Sequence, residues 1–446
     1  MKKIVTLLAA AGMVAASTAP AQAADVKLDG FYRYSFQSTS TGFNGDNLQR
    51  NMQRMRLGLT ITASENLSGY TQFQIGTTEF GTSPKHGKND VQSRQYYIDW
   101  TVPGTAAKVR MGRQALGLPA DAFGGNNFLG AAWGPRDGIV VTAPVADAFS
   151  VTALWTRAAD DGESNGIKDS NLDVFGLAAN VKLNGFSVAP WVAYAAMGEG
   201  LEEANGYNNS GIAGVNDKYA SDTYAFGATA TLTAFDPFKL VVSASYATRD
   251  YDSETAKDRK GWSAEAKASY KLSFGTPILA GWYTSGDDAN DEARNGWLPG
   301  INSYSSPTGT FFDGSTSLDA GVDRYTTLGT WGVQLGIEGV SFLSGLSHDV
   351  TATWIQGTNN TDNAAVKAAQ VGKKGLKAYE YMTTSDSVVE LALTTNYKIY
   401  KNLTACLELA YLISDFDENV WGKNADGSAA YGEDDWRAGL TFTYKF

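Results

Sequence analysis

The strongest constraint on this chain is an alternation of apolar and polar residues with a period of two, repeated along nearly its whole length. Trp262, Ala264, Ala266, Ala268, Tyr270 and Leu272 fall on one face of their segment, and Ser263, Glu265, Lys267, Ser269 and Lys271 on the other. A helix has a period of 3.6 and would mix these sets. The last residues repeat the pattern, with Trp436, Ala438, Leu440, Phe442, Tyr444 and Phe446 set against Asp435, Arg437, Gly439, Thr441, Thr443 and Lys445. The first segment does too, from Val26 to Gln37. Counting such segments predicts eighteen strands, or sixteen if the weak hairpin over 138–157 is not one.

The connections alternate as well. Ser64-Glu65-Asn66, Pro103-Gly104-Thr105, Leu183-Asn184-Gly185 and Tyr400-Lys401-Asn402 read as tight turns, while 198–220, 286–325, 358–384 and 416–433 read as long polar loops. Short turns at one rim and long loops at the other, with an even strand count, describe a transmembrane antiparallel up-and-down β-barrel. Aromatic spacing agrees. Trp262 and Tyr270 lie eight residues apart, which at ~3.3 Å per residue and a tilt of ~40° gives ~20 Å, close to the ~25 Å apolar band between aromatic girdles.

The N-terminus carries an export signal. Met1-Lys2-Lys3 is a positive start, Ile4 to about Ala16 is apolar, and Ala21-Gln22-Ala23 supplies small residues for cleavage before Ala24. Residues 24–446 are then one β-barrel domain. Removing Lys2 and Lys3 takes the formal charge from −11 to −13, which argues against a nucleic-acid partner. One cysteine excludes a disulfide framework and thiolate metal clusters. His86 and His348 are too few for a His-rich metal centre or a defensible hydrolytic triad. No cofactor and no enzyme activity are expected. The run Asp287-Asp288-Ala289-Asn290-Asp291-Glu292 lacks EF-hand spacing and reads as a solvated outer loop, with calcium binding left open.

Inward positions decide what kind of barrel this is. Arg33, Arg54, Arg56, Lys108, Arg110, Glu265, Lys267 and Arg437 all have polar-face parity. Desolvating so many charges in a dry core costs several kcal/mol each unless each is paired. A barrel of 16–18 strands instead leaves an aqueous channel.

At this point the sequence resembles the Gram-negative trimeric porins, of the bacterial outer-membrane homotrimeric type. The resemblance rests on the leader running directly into a first strand and on the ending Leu440-Thr-Phe-Thr-Tyr-Lys-Phe446. It rests also on Val109-Arg-Met-Gly-Arg-Gln114, which is similar to the strand before a porin constriction loop, and Gly138-Ile-Val-Val-Thr142, similar to the strand after it. It implies a homotrimer in the outer membrane of a Gram-negative bacterium, in contact with outer-membrane lipid. It also implies recognition of Phe446 by the barrel assembly machinery and passive diffusion of small polar solutes and ions. A substrate-specific channel for a sugar or small anion is the alternative, kept open by inner aromatics such as Phe31, Tyr70, Tyr97 and Trp191.

Residues 115–137 form the third outer loop, and in such porins that loop folds into the barrel and narrows it. The segment is broken by glycines and prolines, yet is rich in Leu116, Leu118, Phe123, Phe128, Leu129 and Trp133, a composition that disfavours disorder. The expected constriction sets Asp121 and Asp137 on this loop against Arg33, Arg54, Arg56 and Arg110 on the wall. Lys108 and Arg136 join the lining. Arg113 has outward parity, but follows Gly112, where a bend would bring it in; Arg94, also of outward parity, is left out.

Overall fold

The computed structural model describes residues 25–41, 46–81, 91–126, 128–129, 135–160, 171–199, 219–254, 256–291, 295–300, 327–363, 366, 378, 381–423 and 434–446. The leader expected at 1–23 lies outside them.

Eighteen strands follow one another along the chain. The first six are β1 (Asp25–Thr41), β2 (Asp46–Ser64), β3 (Leu67–Glu79), β4 (Val91–Thr101), β5 (Lys108–Gln114) and β6 (Arg136–Ala146). Next come β7 (Phe149–Asp160), β8 (Asn171–Leu183), β9 (Phe186–Met197), β10 (Ser221–Leu232), β11 (Phe238–Tyr251) and β12 (Arg259–Tyr270). The last six are β13 (Thr276–Thr284), β14 (Thr330–Leu343), β15 (Leu346–Gly357), β16 (Ser387–Tyr400), β17 (Leu403–Asp415) and β18 (Asp435–Lys445). Each pairs antiparallel with its sequence neighbours, and β1 pairs with β18, which closes the ring. The hairpin over 138–157 is genuine, with β6 and β7 in register from Asp137↔Arg157 to Ala146↔Phe149. Eighteen is therefore the count.

The alternation sorts side chains by solvent. Leu177, Val192, Phe226, Leu279 and Leu335 stand exposed on the outer face, where lipid solvates them, while Thr156, Thr223, Ser263, Gln334 and Glu390 are buried on the inner face. Outward aromatics pair across strands at the rims, as in Trp262–Tyr283, with ring centroids 4.6 Å apart. Closure leaves no free sheet edge, so every ladder hydrogen bond is made within the wall. The seam is finished by the last residue: Gly30 and Phe446 exchange two backbone hydrogen bonds of 3.1 Å.

Fully buried apolar side chains gather where outer loops fold back. Asn359 accepts from the Asp287 amide and from Trp297 Nε1, at 3.0 and 2.7 Å, and donates to the Met382 carbonyl at 2.7 Å. The Trp297 and Tyr381 rings stack at 5.5 Å. Asp386 accepts from the amides of Thr383 and Asp417 and from Trp421 Nε1, which closes a one-turn helix, α1 (Glu418–Trp421), onto the same cap. Asp287 is buried here, its carboxylate taken by the Gly296 amide at 2.6 Å and by the Tyr381 hydroxyl. Of the loop expected to be solvated around 287–292, Asp287 is buried in this cap, while Asp288 and Asn290 are exposed.

Candidate functional site

The loop after β5 begins inside the wall. Leu118, Phe128 and Leu129 are buried in the cluster that includes Trp191 and Trp282. Three groups of contacts seat the loop across the lumen, on inward residues of β9 to β13. The Thr229 hydroxyl donates to the Ala120 carbonyl at 2.7 Å. The Ala122 amide donates to Ser243 Oγ and Glu265 Oε2, at 3.0 and 3.2 Å. Phe128 lies on Trp191 with centroids 6.1 Å apart, and Phe123 meets the Trp282 ring edge-on at 6.2 Å.

Those two indoles lie flat because glycine stands opposite each. Gly227 pairs with Trp191 and Gly332 with Trp282 in the ladder. A Cβ at Gly227 would sit 2.7 Å from Trp191 Cζ2, and one at Gly332 would sit 2.3 Å from Trp282 Cη2. Any other residue would push the indole into the lumen and remove the platform on which the loop rests.

The loop holds its own shape. Asp121 Oδ1 accepts from the amides of Phe123 and Gly125, at 2.9 and 3.0 Å, and Asn126 Oδ1 accepts from those of Phe128 and Leu129. These are side chains standing in for backbone acceptors, as Asp and Asn do in turns. Asp121 is only 9% exposed, and its Oδ1 serves the loop's fold.

The arginines line the opposite wall. In a ring of eighteen, β9 to β13 stand diametrically across from β18 and β1 to β4. Arg33 and Arg54 are direct cross-strand partners. Arg54 Nε donates to Thr77 Oγ1 at 2.7 Å and Arg56 Nε to Gln74 Oε1 at 2.8 Å. Arg33 and Arg56 both lie over the Phe31 ring, at 5.1 and 5.5 Å from its centroid. Further round, Arg110 makes a bidentate pair with Asp99, at 2.6 and 2.8 Å, and its guanidinium covers the Tyr97 ring at 4.1 Å. Like charges in register repel. They are tolerated here because these arginines remain half-exposed to the lumen.

Arg94 belongs to this group and parity reasoning misses it. The register slips between Gln72 and Phe73, so that Gln95 faces Gln72 but Ser93 faces Phe73. The extra residue is Arg94, and the bulge turns it inward, into electrostatic contact with Arg56. Only the aromatic and polar crowding of 91–97 hinted at an irregular strand.

Two expected lining residues lie elsewhere. Arg113 and Asp137 are cross-strand partners with outward parity, joined by a 2.7 Å ion pair on the outer face of the wall. Gly112 does adopt a positive φ of 123°, but the strand keeps its alternation through it, so no bend brings Arg113 in. Lys108 sits inward and exposed at the short-turn end of β5. Arg136 stands at the root of the loop, beside Gln114 in register, and donates to the Pro135 carbonyl at 3.3 Å. His348 shares a hydrogen bond with Thr395 at 2.9 Å, and His86 lies outside the described residues. Among the cap carboxyls, burial pushes Asp386 above the usual carboxylate range, against the pull of the donors that hold it.

Solved outer-membrane channels share this architecture. OpdL of Pseudomonas aeruginosa is similar at TM-score 0.56 and 12% identity, over 95% of this chain and 99% of that one. The outer membrane protein OprD of the same organism gives 0.54 and 12%, over 94% of each. OccAB2 of Acinetobacter baumannii gives 0.53 and 11%, over 95% and 98%. At such identities the likeness is one of fold. No curated protein sequence matches. A family model for the Gram-negative porins does match, over residues 6–304, and with its closed eighteen-stranded wall this outer-membrane channel for small solutes belongs to the Gram-negative porin family.

Proposed function

We propose that solutes cross this channel along the arginine wall, past a constriction made by residues 115–129, and that the passage favours small anions. One observation carries the reading: a loop seated on β9 to β13 lies opposite Arg33, Arg54, Arg56 and Arg94. Fixed positive groups beside a narrowing concentrate anions and delay cations. The formal charge of −11 is spread over the whole chain and weighs less than charge at the narrowing, since exposed charges beyond ~8–10 Å are screened at physiological salt. Diffusion is passive, and Lys108 continues the positive lining toward the short-turn rim.

A substrate-specific channel is the second reading, favoured by the Tyr70–Tyr97 pair at 5.3 Å and by the locked Arg110 beside it. A sugar or small anion binding there would block conductance saturably. Two partners complete the proposal. Phe446, bonded to Gly30 at the seam, is the mark read by the barrel assembly machinery. The chain assembles as a homotrimer, for which Ala228, Ala244 and Ala264, in one cross-strand row on the outer face, offer a smooth contact surface.

Planar-bilayer recording under a salt gradient tests this. A reversal potential on the anion side, with conductance arriving in steps of three, is the expected result. A cation-side reversal potential would remove the role given to the arginines.

A further inference from the structure

The outer face of β11 and β12 changes chemistry in layers as the two strands rise to the long-loop rim. Tyr246 stands opposite Trp262, and Thr248 opposite Lys260. Ala244 and Ala264 pair one step below the rings, and Asp250 and Asp258 continue the same two faces one step above Thr248 and Lys260. Going up, the order is small apolar, aromatic, hydroxyl with ammonium, then carboxylate. Each layer is two residues along the strand, which at ~3.3 Å per residue and a tilt of ~40° is ~5 Å of height.

The upper three layers line a cavity of about 700 Å³. Its other wall is the loop after β13, fastened along the end of β12. The Trp262 amide donates to Ser285 Oγ at 2.9 Å, Ser285 Oγ donates to the Gly296 carbonyl at 2.6 Å, and the Lys260 amide donates to the Asn295 carbonyl at 3.0 Å. This loop adds Asp288 and Asp291 to the lining. Two of the carboxylates are fixed by backbone amides: Asp258 accepts from Tyr251 at 2.9 Å and Asp291 from Asp288 at 2.8 Å. Asp250, Asp258, Lys260 and Asp288 are exposed.

The aromatic layer gives the depth. Trp262 stacks on Tyr283 at 4.6 Å and Tyr246 meets Phe226 at 5.4 Å, a run of outward rings at the level where aromatic girdles meet lipid head groups. The cavity above them therefore opens at head-group depth, on the membrane side of the wall and not into the lumen. Beneath them the wall is small-sided, with Ala266 facing Gly281 across β12 and β13, so an acyl chain can lie close to the backbone. A ligand that fits both levels is an amphiphile.

We propose that this cavity binds the head group of a phosphoethanolamine lipid. Lys260 and Thr248 hold the phosphate. The ammonium, one two-carbon bridge higher, donates to Asp250 and Asp258, with Asp288 and Asp291 beside it. The acyl chains descend past Trp262 over Ala264 and Ala266. The order of groups up the wall is thus the order of groups along the lipid, and each charge of the zwitterion meets its opposite. An anionic lipid with no ammonium would bring only negative charge to the carboxylate layer, which electrostatic complementarity selects against. The site borders the alanine row offered above as the subunit contact, and it is independent of what the channel conducts.

The test uses the whole folded protein in detergent, titrated with phosphatidylethanolamine or with phosphatidylglycerol of the same acyl chains and read by native mass spectrometry. Phosphatidylethanolamine should half-saturate one site at about a tenth of the concentration that phosphatidylglycerol needs, the worth of one hydrogen bond between charged groups. Asp250→Asn with Asp258→Asn should erase that preference. Lys260→Gln should weaken both lipids, since the phosphate is common to them. These side chains lie outside the lumen, so the variants should keep the parent's single-channel conductance. Equal binding of the two lipids by the unmodified protein overturns the proposal, and so does a preference that survives the double replacement. The lipid comparison is made on the unmodified protein, so it stands even if a variant fails to fold.

Discussion

The two opposed walls of this barrel obey the same alternation and do opposite things with it. On β9 to β13 the inward positions carry Trp191, Thr229, Ser243, Glu265 and Trp282, and each receives a ring, an amide or a carbonyl of the loop. On β1 to β4 they carry Arg33, Arg54, Arg56 and Arg94, which remain half-exposed to the lumen, with Phe31 beneath two of the guanidiniums. The first wall is a floor for a plug and the second is a bank for water. Period two determines which residues point inward; their chemistry determines whether the inside is filled or left wet.

The sharpest way to break this contrast is to unseat the plug. Replacing Phe123 and Phe128 together by Ala removes the partly buried Phe123 ring and the fully buried Phe128 ring, the latter worth about 3–5 kcal/mol. The loop should leave its seat, and single-channel conductance in bilayers should rise while the barrel stays folded. Conductance equal to that of the parent would mean the loop does not narrow the path. Reversing the bank comes next. Arg54→Glu with Arg56→Glu should carry the reversal potential from the anion to the cation side with little change in conductance. A smaller effect is expected from Gly332→Ala, whose Cβ would fall 2.3 Å from the Trp282 ring. Overpacking of this kind costs about 1–3 kcal/mol, and a tilted Trp282 should appear as current noise from a loosened loop.

The difference between the walls also explains how much of the molecule can be read in its sequence. Strand number, closure and the inward-facing Arg33, Arg54, Arg56 and Arg110 follow from alternation, because parity is local and survives a whole strand. Parity fails at a bulge, and at β4 one extra residue carries Arg94 from the lipid side to the lumen. The seat of the loop is not legible in advance. It depends on Gly227 and Gly332 lying opposite Trp191 and Trp282, and that pairing exists only once β9 has met β10 and β13 has met β14. Asp121 shows the same limit. An acidic residue on a constriction loop reads as a selectivity group, but one of its carboxylate oxygens is taken by two amides of its own loop.

Arg94 and Arg113 give the finest test, because parity alone places both outward and is right for only one of them. Both have outward parity by counting, and each sits at a feature that could turn it: Arg94 is the extra residue of a bulge, and Arg113 follows Gly112. Only the bulge adds a residue and so shifts the phase of the strand; a positive φ at Gly112 changes direction locally and leaves the phase intact. Arg94→Gln should therefore lower anion preference, by less than the double reversal, since it removes one charge from a group of four. Arg113→Gln should leave the reversal potential where it was. Its pair with Asp137 is partly exposed, at 33% and 53% of the two side chains, and such pairs contribute about 0–1 kcal/mol. A selectivity change in Arg113→Gln equal to that in Arg94→Gln would place both on the solute path and break the assignment of phase to the bulge.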